Sequence, residues 1–100
     1  MDESAVYTVA RWQVRAGNMD SVLQALSELA QHSRAEAGCL IYEAHRNVDD
    51  LHQIVLYEGY RSQAALKAHR ESEHFQRLVL NTIVPLLQHR EVVQLTALPL

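Results

Sequence analysis

Glu58, Tyr60 and His69 are the residues of this 100-residue chain whose types and spacing could perform acid–base chemistry. Glu58 and Tyr60 are two residues apart, so a β-strand through them would place both side chains on one face. Burial would raise the pKa of the Glu58 carboxyl group, and an imidazole needs little tuning to act as a base or an acid near neutral pH. We predict that these three residues are catalytic. The structural alternatives are a Glu58 carboxylate paired with an arginine at the rim of the site and a half-buried His69 bonded to the backbone.

Five further residues are predicted to contact a substrate: Tyr42, Trp12, Thr8, Leu56 and His74. Thr8 and Trp12 share one face of the first predicted strand, where the indole could stack on a flat molecule or fill the core. Leu56 would extend an apolar wall beside the catalytic carboxylate. Tyr42 could line a cavity or pack within the sheet, and His74 could contact the ligand or cap the helix that follows it.

The six histidines do not predict a metal site. His69 and His74 are five residues apart and would diverge around a continuous helix, and His45 and His52 have no carboxylate or cysteine at ligand spacing. Cys39, the only cysteine, has no base beside it in sequence and fits a small buried apolar residue better than a nucleophile. The three glycines form neither a phosphate loop nor a dinucleotide fingerprint. We therefore predict that the protein uses no metal and no cofactor.

The composition predicts a folded domain without nucleic-acid or membrane partners. Hydrophobic residues make up 48% of the chain, which is enough to bury a core without disulfides, and the formal net charge is −3. That charge gives no attraction for nucleic acid or an anionic membrane, and no apolar run is long enough to span a bilayer. The first residues are acidic where a secretion signal would be basic, and a single cysteine fits a reducing compartment. We predict one cytoplasmic domain over residues 1–100.

Hydrophobic periodicity predicts the elements that must position these side chains. A strand is expected over 5–14, an amphipathic helix over 19–36 that stops at Gly38, and a hairpin of strands 39–46 and 52–60 joined by the turn 47–51. Ser62 is a predicted N-cap for a helix to residue 71, and Ser72 for a longer helix that Pro85 should kink or end. A last strand is expected over 91–98. The order β-α-β-β-α-β predicts a ferredoxin-like α+β fold, with sheet order 4-1-3-2 and both helices on one face.

Both faces of the predicted sheet are apolar, although the helices can cover only one. In the first strand Val6, Ala10 and Trp12 lie on one face, yet Tyr7 and Val9 lie on the other. An uncovered apolar sheet face is most economically closed by an identical subunit. We therefore predict a homodimer, with the apolar tail 92–98 reaching across it, and we expect the catalytic face to be the one that the second subunit closes.

Four short motifs resemble the antibiotic biosynthesis monooxygenase (ABM) family of dimeric α/β-barrel proteins over about residues 6–97. Residues 34–40, Arg-Ala-Glu-Ala-Gly-Cys-Leu, are similar to a common Glu-Pro-Gly-Cys motif, with Ala37 in place of proline, and Tyr-Glu follows at 42–43. Residues 57–60, Tyr-Glu-Gly-Tyr, resemble a common Tyr-Glu-x-Trp, so Tyr60 stands where many members have tryptophan. Ala-His at 68–69 followed by Glu-His-Phe at 73–75 is a pattern that many members share.

The resemblance implies a chemistry for the predicted residues. Family members named as monooxygenases oxidise polycyclic phenols to quinones with molecular oxygen and with neither metal nor flavin. Others isomerise small sugar-like signal molecules, degrade haem or have no assigned activity. His69 resembles the family's helix histidine that faces the cavity, and Val79 stands where the haem-degrading branch has its haem ligand. The implied function is a small cofactor-independent monooxygenase of an aromatic or quinol-like molecule. The alternatives are a non-catalytic dimeric small-ligand-binding or stress-related protein and a cofactor-free isomerase.

Overall fold

The structure is a computed structural model that describes residues 4–100. β1 (Val6–Val14) is followed by α1 (Met19–Arg34) and by the hairpin of β2 (Cys39–Asn47) and β3 (Asp50–Tyr60). α2 (Gln63–Glu71), a π-helix (Phe75–Ile83) and a 3₁₀ turn (Val84–Leu86) then lead to β4 (Leu87–Leu95). Within the described residues no helix is long and apolar enough to cross a membrane.

The four strands form one antiparallel sheet in the order β2-β3-β1-β4. This order confirms the predicted ferredoxin-like fold, since it is the sequence 4-1-3-2 read from the other edge. Thr8 of the central strand β1 lies opposite Glu58 of β3 on one side and Gln94 of β4 on the other. The register therefore places a predicted substrate contact beside a predicted catalytic carboxylate.

The helices cover one face of the sheet because each carries a stripe of buried residues. In α1 these residues recur every three or four positions: Val22, Ala25, Leu26, Leu29, Ala30 and Ser33. Such spacing places them on one side of the helix, where they pack in one core with alternate β1 residues, among them Ala10 and Trp12. α2 begins after Ser62, whose hydroxyl accepts the Ala65 N–H at 3.1 Å, so the predicted N-cap is confirmed.

The bounds of β4 and of the hairpin turn differ from the prediction, because the local sequence does not show which residues pair with a neighbouring strand. β4 starts at Leu87 rather than at residue 91 and ends at Leu95. Its polar stretch 88–91 is held by hydrogen bonding to β1, and as an edge strand with both faces exposed it shows no alternation. The hairpin turn is only two residues long, Val48 and Asp49, where a five-residue turn was expected.

The chain breaks direction at Ser72, and this break brings two histidines together. Ser72 has an extended backbone (ψ 154°), its hydroxyl donates to the His69 carbonyl at 2.6 Å, and it accepts the Phe75 N–H at 3.2 Å. The predicted longer helix is a π-helix from Phe75, and it ends where Pro85 enters the 3₁₀ turn, as expected. Because α2 does not continue past Glu71, the imidazoles of His69 and His74 do not diverge around one helix.

The face of the sheet away from the helices, which we name the open face, is uncovered and carries a cluster of apolar side chains at one end and charged and polar ones, such as Arg11 and Glu91, at the other. Tyr7 stacks on Tyr57 with ring centroids 5.9 Å apart, and the Tyr7 ring lies beside Gly59, where an added Cβ would be 2.8 Å from it. The apolar side chains of the open face are those of Tyr7, Val9, Ile41, Val55, Tyr57, Val93 and Leu95.

The predicted catalytic residues do not lie on the open face. Glu58 and Tyr60 are buried on the opposite face, beneath α2, where His69 is also buried. The expectation that only a second subunit could close this face is therefore wrong, because the chain's own helices cover it. The chain's own helices shape the candidate site.

Candidate active site

A small cavity lies between the sheet on one side and α2 and the π-helix on the other. Its volume is about 30 Å³, which is room for one or two water molecules. Thr8, Trp12, Tyr42 and Glu58 line it from the sheet, and His69 lines it from α2. These five residues were all predicted from the sequence, and the fold brings them to one place.

Glu58, Tyr60 and His69 form a buried acid–base group at one end of the cavity. The Tyr60 hydroxyl donates to Glu58 Oε1 at 2.6 Å, and His69 Nε2 lies 3.7 Å from the same oxygen. Burial raises the pKa of the Glu58 carboxyl group, and the Tyr60 hydrogen bond and the nearby positive charges only partly offset that rise. Burial, together with the Glu58 charge, also raises the pKa of the Tyr60 phenol, so Tyr60 stays a donor. Glu58 therefore binds a proton more readily than an exposed glutamate does, and it lies next to His69.

A second carboxylate, that of Glu36, approaches His69 from its other side. Glu36 Oε2 lies 2.8 Å from His69 Nδ1 and 2.5 Å from His74 Nε2. Burial raises the pKa of Glu36, but the hydrogen bonds from the two histidines outweigh it and leave the pKa below its usual value. A carboxylate only accepts hydrogen bonds, so His69 Nδ1 carries the hydrogen here. In the neutral ring Nε2 is then the unprotonated nitrogen, and it faces Glu58 and the cavity.

Two polar atoms in the cavity wall lack a partner within the described residues. Thr8 Oγ1 and Trp12 Nε1 are buried and make no hydrogen bond. Leaving such groups unpaired costs about 1–3 kcal/mol each, so they are groups that a bound water or ligand oxygen would satisfy. The indole N–H can only donate, which favours a carbonyl, phenol or phenolate oxygen at that end of the cavity.

The family follows from comparison with known proteins. The sequence model described as antibiotic biosynthesis monooxygenase matches residues 5–79, which is most of the chain. The chain belongs to the ABM family. YcnE of Bacillus subtilis (strain 168), an ABM-type protein named provisionally as a monooxygenase, is 34% identical over 67 residues, covering 67% of this chain and 70% of YcnE.

Solved structures of similar proteins support the same assignment. Rv0793 from Mycobacterium tuberculosis has a TM-score of 0.90 at 31% identity, with 95% of this chain and 96% of that chain covered. PA3566 from Pseudomonas aeruginosa has a TM-score of 0.84 at 32% identity, with 95% of each chain covered. The resemblance predicted from four short motifs is thereby confirmed across nearly the whole fold.

Three of the predicted ABM site residues lie outside the cavity wall. Tyr60 is fully buried behind Glu58, and Leu56 is buried in the core beside Ala10. His74 contacts Glu36 rather than the cavity. In this geometry these three residues can act only indirectly, by holding other residues in place.

Sequence reasoning missed Glu36 as a site residue. Glu36 lies in the motif that resembles the family pattern, but no spacing rule links it to a histidine 33 residues later. Arg70, Phe75 and Arg90 also line the cavity and were not predicted.

For Cys39, burial and then the charges of Glu36 and Glu58 raise the pKa of the thiol, so it stays protonated, as the prediction of a small apolar residue requires.

Glu36, His69 and His74 are also the described residues whose side chains could together hold a cation. Their ligand atoms lie within 4.8 Å of one another, so the argument that the two histidines diverge is wrong. Around zinc, with bonds of 2.0–2.1 Å, tetrahedral ligands lie about 3.3 Å apart. The 2.8 and 2.5 Å separations are shorter and are those of hydrogen bonds. This geometry favours two imidazole donors on one carboxylate, and the absence of a metal stays a prediction.

Proposed function

We propose that this ABM protein is a cofactor-independent monooxygenase that oxidises an aromatic or quinol-like small molecule with molecular oxygen. The single observation that supports it best is the buried pair of Glu58 and His69 at one end of a small cavity between sheet and helices. Cofactor-free oxygenation needs a base that removes a proton from the substrate, and it needs water to be excluded from the resulting anion.

The proposed reaction begins with proton transfer from a substrate phenol to His69 Nε2. Glu58, 3.7 Å away, stabilises the imidazolium, and Tyr60 holds the Glu58 carboxylate through its 2.6 Å hydrogen bond. The electron-rich anion then reduces oxygen, and a carbon–oxygen bond forms to give a peroxide, which takes the proton back. Loss of water breaks the oxygen–oxygen bond, so one oxygen atom ends in a quinone carbonyl and the other in water. The substrate supplies all four electrons, so the stoichiometry requires no external reductant.

The other cavity residues are proposed to bind and orient the substrate. Thr8 and Trp12 offer their unpaired polar atoms to substrate oxygens, and Tyr42 and Phe75 supply aromatic wall. Since about 30 Å³ cannot hold an aromatic ring, the cavity must widen when substrate binds. Arg70 and Arg90 line the cavity and are exposed, so the substrate is proposed to displace them first.

A homodimer is part of the proposal. The open face carries a cluster of apolar side chains, and Val93 and Leu95 of the edge strand remain 43% and 41% exposed. Family membership and the apolar cluster on this face both favour pairing with a second copy. A cytoplasmic location stays a prediction.

Oxygen consumption by chelator-treated protein tests the proposed chemistry. With anthrone or a hydroquinone as substrate, His69→Ala and Glu58→Gln should each lower the rate about 10²- to 10⁴-fold. His45→Ala is the matched control, because His45 is an exposed strand histidine that does not line the cavity. Equal rates in all four proteins would contradict the catalytic assignment. Substrate turnover without oxygen consumption would instead favour the isomerase, and ligand binding without turnover the binding protein.

A further inference from the structure

We propose that Glu36 is a positioning residue for His69, fixing the tautomer and ring orientation that present the unprotonated Nε2 to Glu58 and the cavity. His74 is its second partner and holds the Glu36 carboxylate in place. The inference rests on the proposed function for its catalytic consequence, but the tautomer itself can be measured in the resting protein. It adds two residues to the acid–base group, neither of which lines the cavity.

The turn that carries Glu36 is held on both sides. Arg34, at the end of α1, donates from Nε and from an Nη to the Tyr42 carbonyl at 3.1 and 2.8 Å, which ties the turn to β2. The Cys39 N–H donates to the Glu36 carbonyl at 3.1 Å. Gly38 packs so closely on α2 that a Cβ there would overlap the Ala65 side chain. These contacts hold the Glu36 carboxylate within hydrogen-bond distance of His69 Nδ1.

His74 reaches the same Glu36 oxygen because the chain breaks at Ser72. Its Nε2 is 2.5 Å from Oε2, and its ring stacks on His32 with centroids 5.4 Å apart. The Glu36 and His74 side chains are 18% and 16% exposed, whereas that of His69 is 2% exposed. The pair therefore lies between the buried base and the surface. Two N–H donors on one oxygen keep Glu36 ionised and immobile.

The groups that face His69 come from every element packed around it. Glu36 accepts at Nδ1, and Glu58 lies at Nε2 with Tyr60 behind it. The Tyr42, Tyr60, His74 and Phe75 rings surround the imidazole, with centroids 5.0–6.1 Å away. Arg70, the next residue in α2, is the cation whose charge acts on Glu58. Of these groups, Glu36 alone hydrogen-bonds Nδ1, so it alone selects the tautomer.

The direct test is the nitrogen-15 NMR spectrum of the resting protein at pH 8, without substrate. Long-range proton–nitrogen correlations should show His69 with hydrogen on Nδ1 and none on Nε2. In Glu36→Leu the ring should populate both tautomers, while Glu36→Gln, which keeps an acceptor oxygen, should retain the wild-type form. A wild-type ring with hydrogen on Nε2 would overturn the inference whatever the activity.

Kinetics supply the second readout. Glu36→Leu should lower kcat about 10- to 10³-fold with KM within about 2-fold of wild type, because Glu36 does not touch the cavity. Glu36→Gln should recover a measurable part of that loss. His74→Phe should lower kcat by a smaller factor, and His74→Gln, whose amide can still donate to Glu36, should lie near wild type. The matched control is His32→Phe, since His32 stacks on His74 without contacting Glu36.

The outcomes separate this inference from the proposed function. The predicted tautomer in a protein that consumes no oxygen would sink the monooxygenase and leave the positioning role of Glu36 intact. A Glu36→Leu protein that is folded by circular dichroism and has unchanged kcat would sink the positioning role alone. Stoichiometric zinc binding that His74→Phe abolishes would also overturn it, because the cluster would then be a metal centre.

Discussion

At the scale of single residues, the proposed chemistry depends on the His69 imidazole, which lies between two carboxyl groups whose pKa values are shifted in opposite directions. Glu58 is buried, and its pKa is raised by that burial, whereas Glu36 carries two histidine hydrogen bonds that lower its pKa. His69 thus has at Nδ1 a carboxylate whose pKa is lowered and near Nε2 a carboxyl group whose pKa is raised. This asymmetry gives the ring a direction for proton transfer.

The raised pKa of Glu58 predicts a stability cost. A carboxyl group whose pKa is higher in the folded than in the unfolded protein stabilises the fold below the unfolded pKa, near 4.3, and loses that contribution as pH rises through the folded pKa. Glu58→Gln removes the buried charge and should therefore raise the free energy of unfolding at pH 8, while lowering activity. Urea unfolding at pH 4 and pH 8 checks this. The prediction would be contradicted if the stability of the variant relative to wild type were lower at pH 8 than at pH 4.

At the scale of elements, the sequence predicts the fold well wherever alternation or helical periodicity reflects burial. The alternation of β1 and β3 and the stripe of α1 predict the covered face and the sheet order. The start of β4 could not be predicted, since an exposed edge strand has no pattern of its own. The break at Ser72 could be predicted as a cap, but not the convergence of His69 and His74, which depends on tertiary packing.

Gly38 is predicted to matter for packing between elements rather than for helix termination. Its backbone is not left-handed, and its role is the close approach of the Glu36 turn to Ala65 of α2. Gly38→Ala should cost about 1–3 kcal/mol of unfolding free energy, as overpacking does. Combining it with Ala65→Gly should give a favourable coupling of at least about 1 kcal/mol in a double-mutant cycle. If the two changes in unfolding free energy were strictly additive, contact with Ala65 would not be the reason that position 38 requires glycine.

At the scale of the whole molecule, the site and the predicted interface lie on opposite faces of one sheet. The sequence identified both apolar faces but not which one holds the catalytic residues, because alternation gives the two faces without saying where the helices pack. The structure places the predicted catalytic residues on the helix-covered face. In a dimer, the second subunit is then expected to pack against the open face of the sheet and not to complete the cavity.

The open face can be tested by adding charge. Sedimentation should give wild type a mass near 23 kDa, about twice the 11.4 kDa of one chain. Tyr57→Glu and Val93→Glu should be monomeric at the same concentration, because burying an unpaired carboxylate costs several kcal/mol. Leu23→Glu, a change of equal chemistry on an exposed α1 residue, should remain dimeric. A monomeric wild type would contradict the predicted assembly.

The most direct test of the central claim is oxygen-18 incorporation by chelator-treated protein under labelled oxygen gas. With a phenolic substrate such as anthrone, mass spectrometry should show one labelled atom in each quinone and one labelled water, with one oxygen molecule consumed per substrate. His69→Ala should lose this labelled product while His45→Ala keeps it. A product of unchanged mass, or a quinone that carries oxygen only from water, would contradict the assignment of Glu58 and His69 as the acid–base pair of a cofactor-independent monooxygenase.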